Sequence, residues 1–220
     1  MSYQALFFDN DGVLVDTEGL YFEASRSVLS ELGVELTHAI HLDISLRQGK
    51  SVFELALQAG VDAAELPRLR AERDARYSAL LQAGVAPIPG VLEALGTLRA
   101  RHRETSRRMA LVTSCLPQHF WRIHRDRQVV DHFDLVWTPD RYGAHKPDPE
   151  PYLTAAAELG VAPELGVAIE DSPRGVASAR CAGMYVIGMR SDFAGEAVDL
   201  SEADVVLNHV GELVAHLDSL

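Results

Sequence analysis

Short apolar runs alternate with amphipathic segments along most of the chain. The first run, Ala5–Phe8, is apolar at every position, which is typical of a strand buried on both faces of a sheet. Later apolar runs occupy residues 109–112, 133–136, 167–169, 185–187 and 205–207. Helices are predicted to begin near Pro117, Pro149, Pro173 and Val210. This alternation predicts an α/β fold with a parallel sheet and helices on both faces.

A different pattern occupies residues 16–85. Apolar residues recur at helical spacing over residues 17–32, with Thr17 as the expected N-cap and Gly33 as the expected helix end. Amphipathic stretches at 51–59 and 63–81 follow, without strand-like alternation. We therefore predict a small all-helical insertion, a turn-rich return linker at 85–90, a helix over 91–100 and an exposed loop over 101–108.

Composition narrows the possible partners. The 220 residues carry a net charge of −12 and no basic run, which argues against nucleic acid and anionic membranes as partners. A phosphorylated ligand would need cations supplied by its own site. Cys115 and Cys181 are interpreted as small buried residues without a disulfide, and the chain has no signal-peptide-like or membrane-spanning apolar segment. These features predict a cytoplasmic protein.

The candidate chemistry begins directly after the first strand. Asp9 and Asp11 are separated by one residue and followed by Gly12, which permits a sharp turn. Two neighbouring carboxylates at a strand end repel each other and lose hydration. A divalent cation, or a reaction that uses both groups, would offset this cost, whereas an ordinary acidic turn explains the pattern taken alone.

Polar clusters also follow other predicted strands or precede predicted helices. Thr113 and Ser114 combine hydroxyl groups with a helix start, an arrangement that suits a phosphoryl group, although plain N-capping also explains it. Lys146 lies in a proline-flanked loop and can neutralise an anion. Glu170 and Asp171 end another apolar run. Oxygen ligands of this kind are typical of Mg²⁺ sites.

In this order, Asp9-Asn10-Asp11-Gly12, Thr113, Lys146 and Glu170-Asp171 resemble the four motifs of the haloacid dehalogenase superfamily of phosphohydrolases. The helical insertion resembles the cap of the subgroup that contains β-phosphoglucomutase and phosphoglycolate phosphatase. The resemblance implies a Rossmann-like core, residues 1–15 and 86–220, with sheet order 3-2-1-4-5, and a helical cap domain, residues 16–85.

The resemblance also implies roles for the motif carboxylates. Asp9 would be the nucleophile that forms an aspartyl-phosphate, and Asp11 would be the general acid and base. The metal would be held by the Asp9 carboxylate, the Asp11 backbone carbonyl and Asp171, with Glu170 close by or bound through water.

Binding roles follow in the same way for the remaining residues. Thr113, Ser114 and Lys146 would hold the phosphoryl oxygens. From the cap, Arg47, Lys50 and Arg73 are candidates for binding the rest of the substrate, with solvated surface cations as the alternative.

The function predicted is that of a Mg²⁺-dependent phosphatase acting on a small phosphorylated metabolite, of the sugar phosphate or phosphoglycolate type. A phosphomutase uses the same motifs, but similar mutases have a histidine in the cap helix where this chain has Tyr21, which favours hydrolysis. A non-enzymatic phosphate-binding module is the remaining alternative, and Asp11 and Lys146 argue against it. We expect a monomer or a weak homodimer.

Overall fold

The computed structural model describes residues 3–220, and a six-stranded parallel sheet lies at its centre. The strands are β1 (Ala5–Phe8), β2 (Arg108–Val112), β3 (Leu135–Trp137), β4 (Gly166–Glu170), β5 (Tyr185–Met189) and β6 (Val205–Leu207). Their order is β3-β2-β1-β4-β5-β6. The predicted order is confirmed, and β6 extends it by one strand beside β5.

Nine α-helices accompany the sheet in the described part of the chain. They are α1 (Glu18–Glu31), α2 (His38–His41), α3 (Glu54–Gln58), α4 (Leu66–Leu80), α5 (Val91–Thr105), α6 (Pro117–Ile123), α7 (Glu150–Leu159), α8 (Pro173–Cys181) and α9 (Leu213–Asp218). A π-helical segment, Leu42–Arg47, continues α2 and was not predicted.

The central strand β1 is buried on both sides because its side chains alternate between two hydrophobic clusters. Leu6 and Phe8 belong to the cluster that includes residues of α5 and α9. Ala5 and Phe7 belong to the cluster on the opposite face, which includes residues of α7 and α8. The α/β prediction with helices on both faces is therefore confirmed.

Helix α5 ends later than the sequence predicted. The sequence predicted an exposed loop from residue 101, but the helix continues to Thr105. His102 explains the extension, since it is only 1% exposed and its Nε2 lies 3.3 Å from the Tyr3 hydroxyl. The helix therefore keeps a buried face for one more turn.

Between residues 18 and 83 the structure contains helical segments and no strand. Helix α1 packs against α4, and a separate hydrophobic cluster there includes Val28, Phe53 and Leu69. This cluster supports, as our proposal, a cap domain at residues 16–85.

No helix in residues 3–220 is long and apolar enough to cross a membrane.

Both cysteines are free, with Cys115 partly buried and Cys181 exposed. The prediction of a buried Cys181 is wrong, because this last residue of α8 faces solvent.

Candidate active site

The predicted motif residues meet at the carboxyl ends of the central strands. Strand β1 lies between β2 and β4, and Phe8 pairs with Leu111 on one side and Ile169 on the other. The residues that follow these strands therefore lie at one edge of the sheet. A cavity of about 340 Å³ opens there, and its lining includes Asp9, Asp11, Lys146 and Asp171.

Three carboxylates form a compact cluster at this edge. Asp9, Glu170 and Asp171 each offer an oxygen, and these oxygens lie within 4.8 Å of one another. Asp171 packs directly against Gly12, where an added Cβ would lie 1.9 Å from Asp171 Oδ2. Gly12 also has a φ of 74°, so glycine satisfies two separate requirements there.

The repulsion among the three carboxylates indicates whether this cluster suits a bound cation. Burial raises the pKa of Asp171 well above its ordinary value, and the neighbouring Asp9 and Glu170 raise it further. A bound divalent cation would offset this repulsion, and three clustered carboxylates are a donor set that suits Mg²⁺. The residues present therefore fit the ion that the family resemblance implies.

Lys146 is the cation that the structure places inside this cluster. Its Nζ donates to Asp9 Oδ1 at 2.9 Å, to Glu170 Oε1 at 2.6 Å and to the Val112 carbonyl at 3.0 Å. Burial by itself lowers the pKa of Lys146, but the charges of Asp9 and Glu170 outweigh it, so the pKa is raised. Lys146 therefore remains a buried ammonium group that orients the Asp9 carboxylate.

Glu170 is enclosed beneath the cavity. Tyr152 donates its hydroxyl to Glu170 Oε1 at 2.5 Å, the same oxygen that accepts from Lys146. A Cβ at Gly175 would lie 1.9 Å from Glu170 Oε2, so α8 approaches this carboxylate closely. Burial raises the pKa of Glu170 and Lys146 opposes that rise. Glu170 thus contacts Lys146 directly in addition to belonging to the acidic cluster.

Asp11 has a different environment. Burial first, and then the charge of Asp9, raise its pKa to about 6. The Thr17 hydroxyl donates to Asp11 Oδ1. Thr17 is the N-cap residue of α1, as predicted, but its side chain makes no capping hydrogen bond. Its hydroxyl links the start of α1 to a carboxylate whose pKa is raised to about 6.

The predicted phosphoryl-binding residues differ in their placement. Thr113 is fully buried, and its Oγ1 accepts a hydrogen bond from the Cys115 amide at 2.9 Å. Tyr142 donates its hydroxyl to the Thr113 carbonyl at 2.8 Å. Ser114, and not Thr113, is among the residues that line the cavity. Thr113 therefore shapes the turn that presents Ser114.

Two of the three cations predicted to bind the rest of the substrate lie at the cavity, and the third does not. Lys50 and Arg73 line the cavity, whereas Arg47 does not. Arg47 instead donates from Nη2 to the Ala197 carbonyl at 3.0 Å, so the structure does not bring it to the predicted site. Arg73 donates to Asp74 Oδ1 at 2.7 Å and to the Tyr21 hydroxyl, which fixes its guanidinium group.

Several lining residues were not among the sequence predictions. They include Tyr77 on α4, His119 on α6 and Arg174 near the start of α8. Tyr77 follows Arg73 by one helical turn, and Arg174 lies three residues beyond Asp171, so spacing from the predicted residues is a signal for both. His119 had no comparable signal.

Comparisons with known proteins agree with this geometry. A model of the haloacid dehalogenase-like hydrolase family matches residues 6–189. The phosphorylated carbohydrates phosphatase of Thermotoga maritima is 35% identical over 186 residues, covering 82% of each chain. The β-phosphoglucomutase of Bacillus subtilis is 25% identical over 219 residues, covering 97% of this chain and 93% of the relative.

A solved structure extends the agreement to three dimensions. Crystalline CbbY from Rhodobacter sphaeroides in complex with phosphate superimposes with a TM-score of 0.78 at 26% identity, covering 98% of this chain and 99% of CbbY. The predicted resemblance and the predicted enzyme class, a phosphoric monoester hydrolase, are thereby confirmed. With this family match spanning most of its length, the chain belongs to the haloacid dehalogenase-like hydrolase family.

Proposed function

We propose that the protein is a Mg²⁺-dependent phosphatase that hydrolyses a small phosphorylated metabolite through an aspartyl-phosphate on Asp9. The observation that carries this proposal is the position of Asp9, between the Lys146 ammonium group and Asp171, in a cavity that also contains Asp11. A nucleophile, a cation and an acid of raised pKa are the groups that phosphoryl transfer requires. The metabolite would be of the sugar phosphate or phosphoglycolate type.

The proposed metal site uses the acidic cluster. The Asp9 and Asp171 carboxylates and the Asp11 backbone carbonyl would hold Mg²⁺, with Glu170 close by. When bound, the ion would supply positive charge that offsets the repulsion between the phosphate group and the carboxylates. Gly12 keeps room for the Asp171 carboxylate on this side of the turn.

The first chemical step is attack of an Asp9 oxygen on phosphorus. A new bond forms between that oxygen and phosphorus, and the bond to the leaving oxygen breaks. Asp11, protonated at a pH near or below 6, donates its proton to the leaving alkoxide. The Lys146 ammonium group stays on Asp9 Oδ1 and fixes the orientation of the nucleophile.

The second step releases phosphate. Asp11, now a carboxylate, accepts a proton from water while the water oxygen attacks phosphorus, and the bond to Asp9 breaks. Ser114 would hold a phosphoryl oxygen during both steps, and Lys146, whose three N–H groups stay on Asp9, Glu170 and the Val112 carbonyl, would stabilise the phosphoryl group through its charge. Thr113 keeps the turn through its bond to the Cys115 amide.

Substrate recognition is proposed to rest on cations in the cavity wall. Lys50, Arg73 and Arg174 all line the cavity, in a chain whose net charge is −12. Arg73 is engaged by Asp74 and Tyr21, while Arg174 has a buried Nε without a hydrogen-bond partner in the described structure. This charge distribution supports a small anionic substrate.

Replacement of the nucleophile tests the proposal directly. Asp9→Asn should abolish Mg²⁺-dependent release of nitrophenol from p-nitrophenyl phosphate. Asp131→Asn is the control, because Asp131 is an exposed aspartate paired with Arg127. Turnover retained by Asp9→Asn would remove Asp9 from the mechanism.

A phosphomutase remains the second candidate, supported by the similarity to the Bacillus subtilis enzyme. Incubation with β-glucose 1-phosphate separates the two functions. Free phosphate as the product supports the phosphatase, and glucose 6-phosphate supports the mutase. We expect free phosphate, because Tyr21 stands where similar mutases have a histidine, and its hydroxyl accepts a hydrogen bond from Arg73.

We also infer that the protein works in the cytoplasm as a monomer or weak homodimer. The two free cysteines, one of them exposed, support a reducing compartment. Light scattering over a range of protein concentrations tests the oligomeric state.

A further inference from the structure

Asn10 lies between the two catalytic aspartates, and its side chain is fully buried. The Nε2–H of His124 donates to Asn10 Oδ1 at 2.6 Å, and His124 is only 2% exposed. The two residues are 114 positions apart in sequence. A buried polar atom that loses its hydrogen-bond partner destabilises the fold, because no water replaces the partner. The bond therefore restricts the orientation of both side chains.

The backbone of Asn10 is equally constrained. Its carbonyl accepts from the Leu14 amide at 2.8 Å and from the Val15 amide at 3.1 Å. The turn that contains Asp11 and Gly12 therefore closes on the peptide group of Asn10, and His124 holds the side chain of the same residue. A rotation of Asn10 would move the residues on either side of it, Asp9 and Asp11.

His124 is itself a rigid support. It is the C-cap residue of α6, and its ring lies 4.6 Å from the Phe120 ring. Burial lowers the pKa of His124 to about 4, so the imidazole is neutral near pH 7 and has one N–H to donate. The loop before α6 contributes Ser114 and Leu116 to the cavity wall. One helix thus contacts both the catalytic turn and the cavity.

We propose that Asn10 and His124 are positioning residues, whose hydrogen bond fixes the Asp9–Asp11 turn against α6 for catalysis. The proposal rests on the phosphatase function argued above, and neither side chain lines the cavity. A misplacement of about 1 Å reduces an enzymatic rate by about 100-fold, so loss of this bond should appear mainly in kcat.

Variants of His124 separate hydrogen bonding from packing. His124→Phe keeps a buried ring without a donor, and His124→Gln keeps an N–H donor. We expect His124→Phe to lower kcat for a sugar phosphate by about 10- to 100-fold with KM little changed, and His124→Gln to recover much of that loss. Equal kcat values for the two variants would overturn the proposal.

A double-mutant cycle provides the second measurement. Asn10→Ala should lower kcat to a similar extent, and the double variant Asn10→Ala/His124→Phe should be no slower than the slower single variant, because both changes break one bond. Losses that multiply in the double variant would show that the residues act independently, contrary to the proposal. If Asn10→Ala fails to fold, the His124 pair still decides the question.

His102→Phe is the matched control. His102 is also buried and makes one side-chain hydrogen bond, but it lies near the amino end of β1, away from the cavity. Thermal unfolding should show a similar loss of stability for His102→Phe and His124→Phe, with kcat lowered only in the second. A kcat loss of equal size in His102→Phe would assign the effect to general destabilisation. The phosphatase function is tested separately, by comparing turnover of the wild-type protein with that of Asp9→Asn. Turnover that is present in the wild type and lost in Asp9→Asn supports that function whatever the His124 variants show.

Discussion

The Lys146 ammonium group lies 2.9 Å from the Asp9 carboxylate, although the two residues are 137 positions apart in sequence. Glu170 shares the same ammonium at 2.6 Å, and all three side chains are largely or fully removed from solvent. A buried cation between two carboxylates contributes its charge to both. Its loss would leave like charges facing each other without compensation.

Lys146→Met should therefore abolish phosphatase activity and lower the free energy of unfolding by about 3–5 kcal/mol. Urea denaturation and phosphate release are the two measurements. Lys50→Met is the matched control for the stability measurement, because Lys50 is the only other lysine in the sequence and is exposed. Wild-type stability in Lys146→Met would contradict the structure of the buried ion cluster.

Asp11→Asn keeps the shape of the side chain but removes its acidic carboxyl proton. Hydrolysis of a sugar phosphate, whose alkoxide leaves poorly, should fall by about 100- to 10,000-fold. Hydrolysis of p-nitrophenyl phosphate, whose leaving group needs little protonation, should fall less. Equal losses for the two substrates, measured as kcat/KM, would argue against Asp11 as the general acid.

Gly12→Ala should weaken both Mg²⁺ activation and turnover, because the new Cβ would lie 1.9 Å from Asp171 Oδ2. Activity is measured across a magnesium titration. Gly160→Ala imposes a similar backbone strain, at a φ of 69°, with no atom within 4 Å of the new Cβ. This control should lose about 1 kcal/mol of stability and keep the magnesium dependence. Identical titration curves for both variants would contradict the predicted clash.

Two buried histidines should make the protein sensitive to acid. Burial lowers the pKa of both His102 and His124 from about 6.5 to about 4. Between these values the unfolded chain binds protons that the folded chain does not, so stability is full above pH 6.5 and is lost as the pH falls towards 4. His124 would contribute up to about 3 kcal/mol to this loss, and His102, which is less enclosed, would contribute less.

The free energy of unfolding at pH 7 and at pH 4.5 measures that acid sensitivity. His102→Phe should reduce the difference in unfolding free energy between the two pH values, because it removes one histidine whose pKa burial lowers. An undiminished difference in this variant would exclude His102 as a source.

Arg174→Ala should raise KM for a sugar phosphate by about 10-fold or more with a smaller effect on kcat, since Arg174 lines the cavity. Arg47→Ala is the control, because Arg47 was predicted to bind substrate but bonds to the Ala197 carbonyl outside the cavity lining. Steady-state kinetics of both variants are compared. A rise in KM confined to Arg47→Ala would reverse the assignment.

Local sequence patterns were sufficient to predict the strands, the predominantly helical segment that follows Thr17 and the acidic residues at the strand ends. An apolar run such as Ala5–Phe8 indicates its own burial, and the residue that follows such a strand in a parallel sheet lies at the carboxyl edge. This is why Asp9 and Asp171 were predicted to meet before their separation was known.

Tertiary structure decided the features that depend on distant partners. Residues 101–105 are helical because His102 is buried beside Tyr3, and the Thr17 hydroxyl bonds to Asp11 where a cap was expected. Arg47 and Arg174 are both arginines near predicted motifs, but Arg174 lines the cavity, while Arg47 bonds to the distant Ala197 carbonyl. Residue type determined which chemistry was available, while the direction of each side chain was set by contacts across long stretches of the chain.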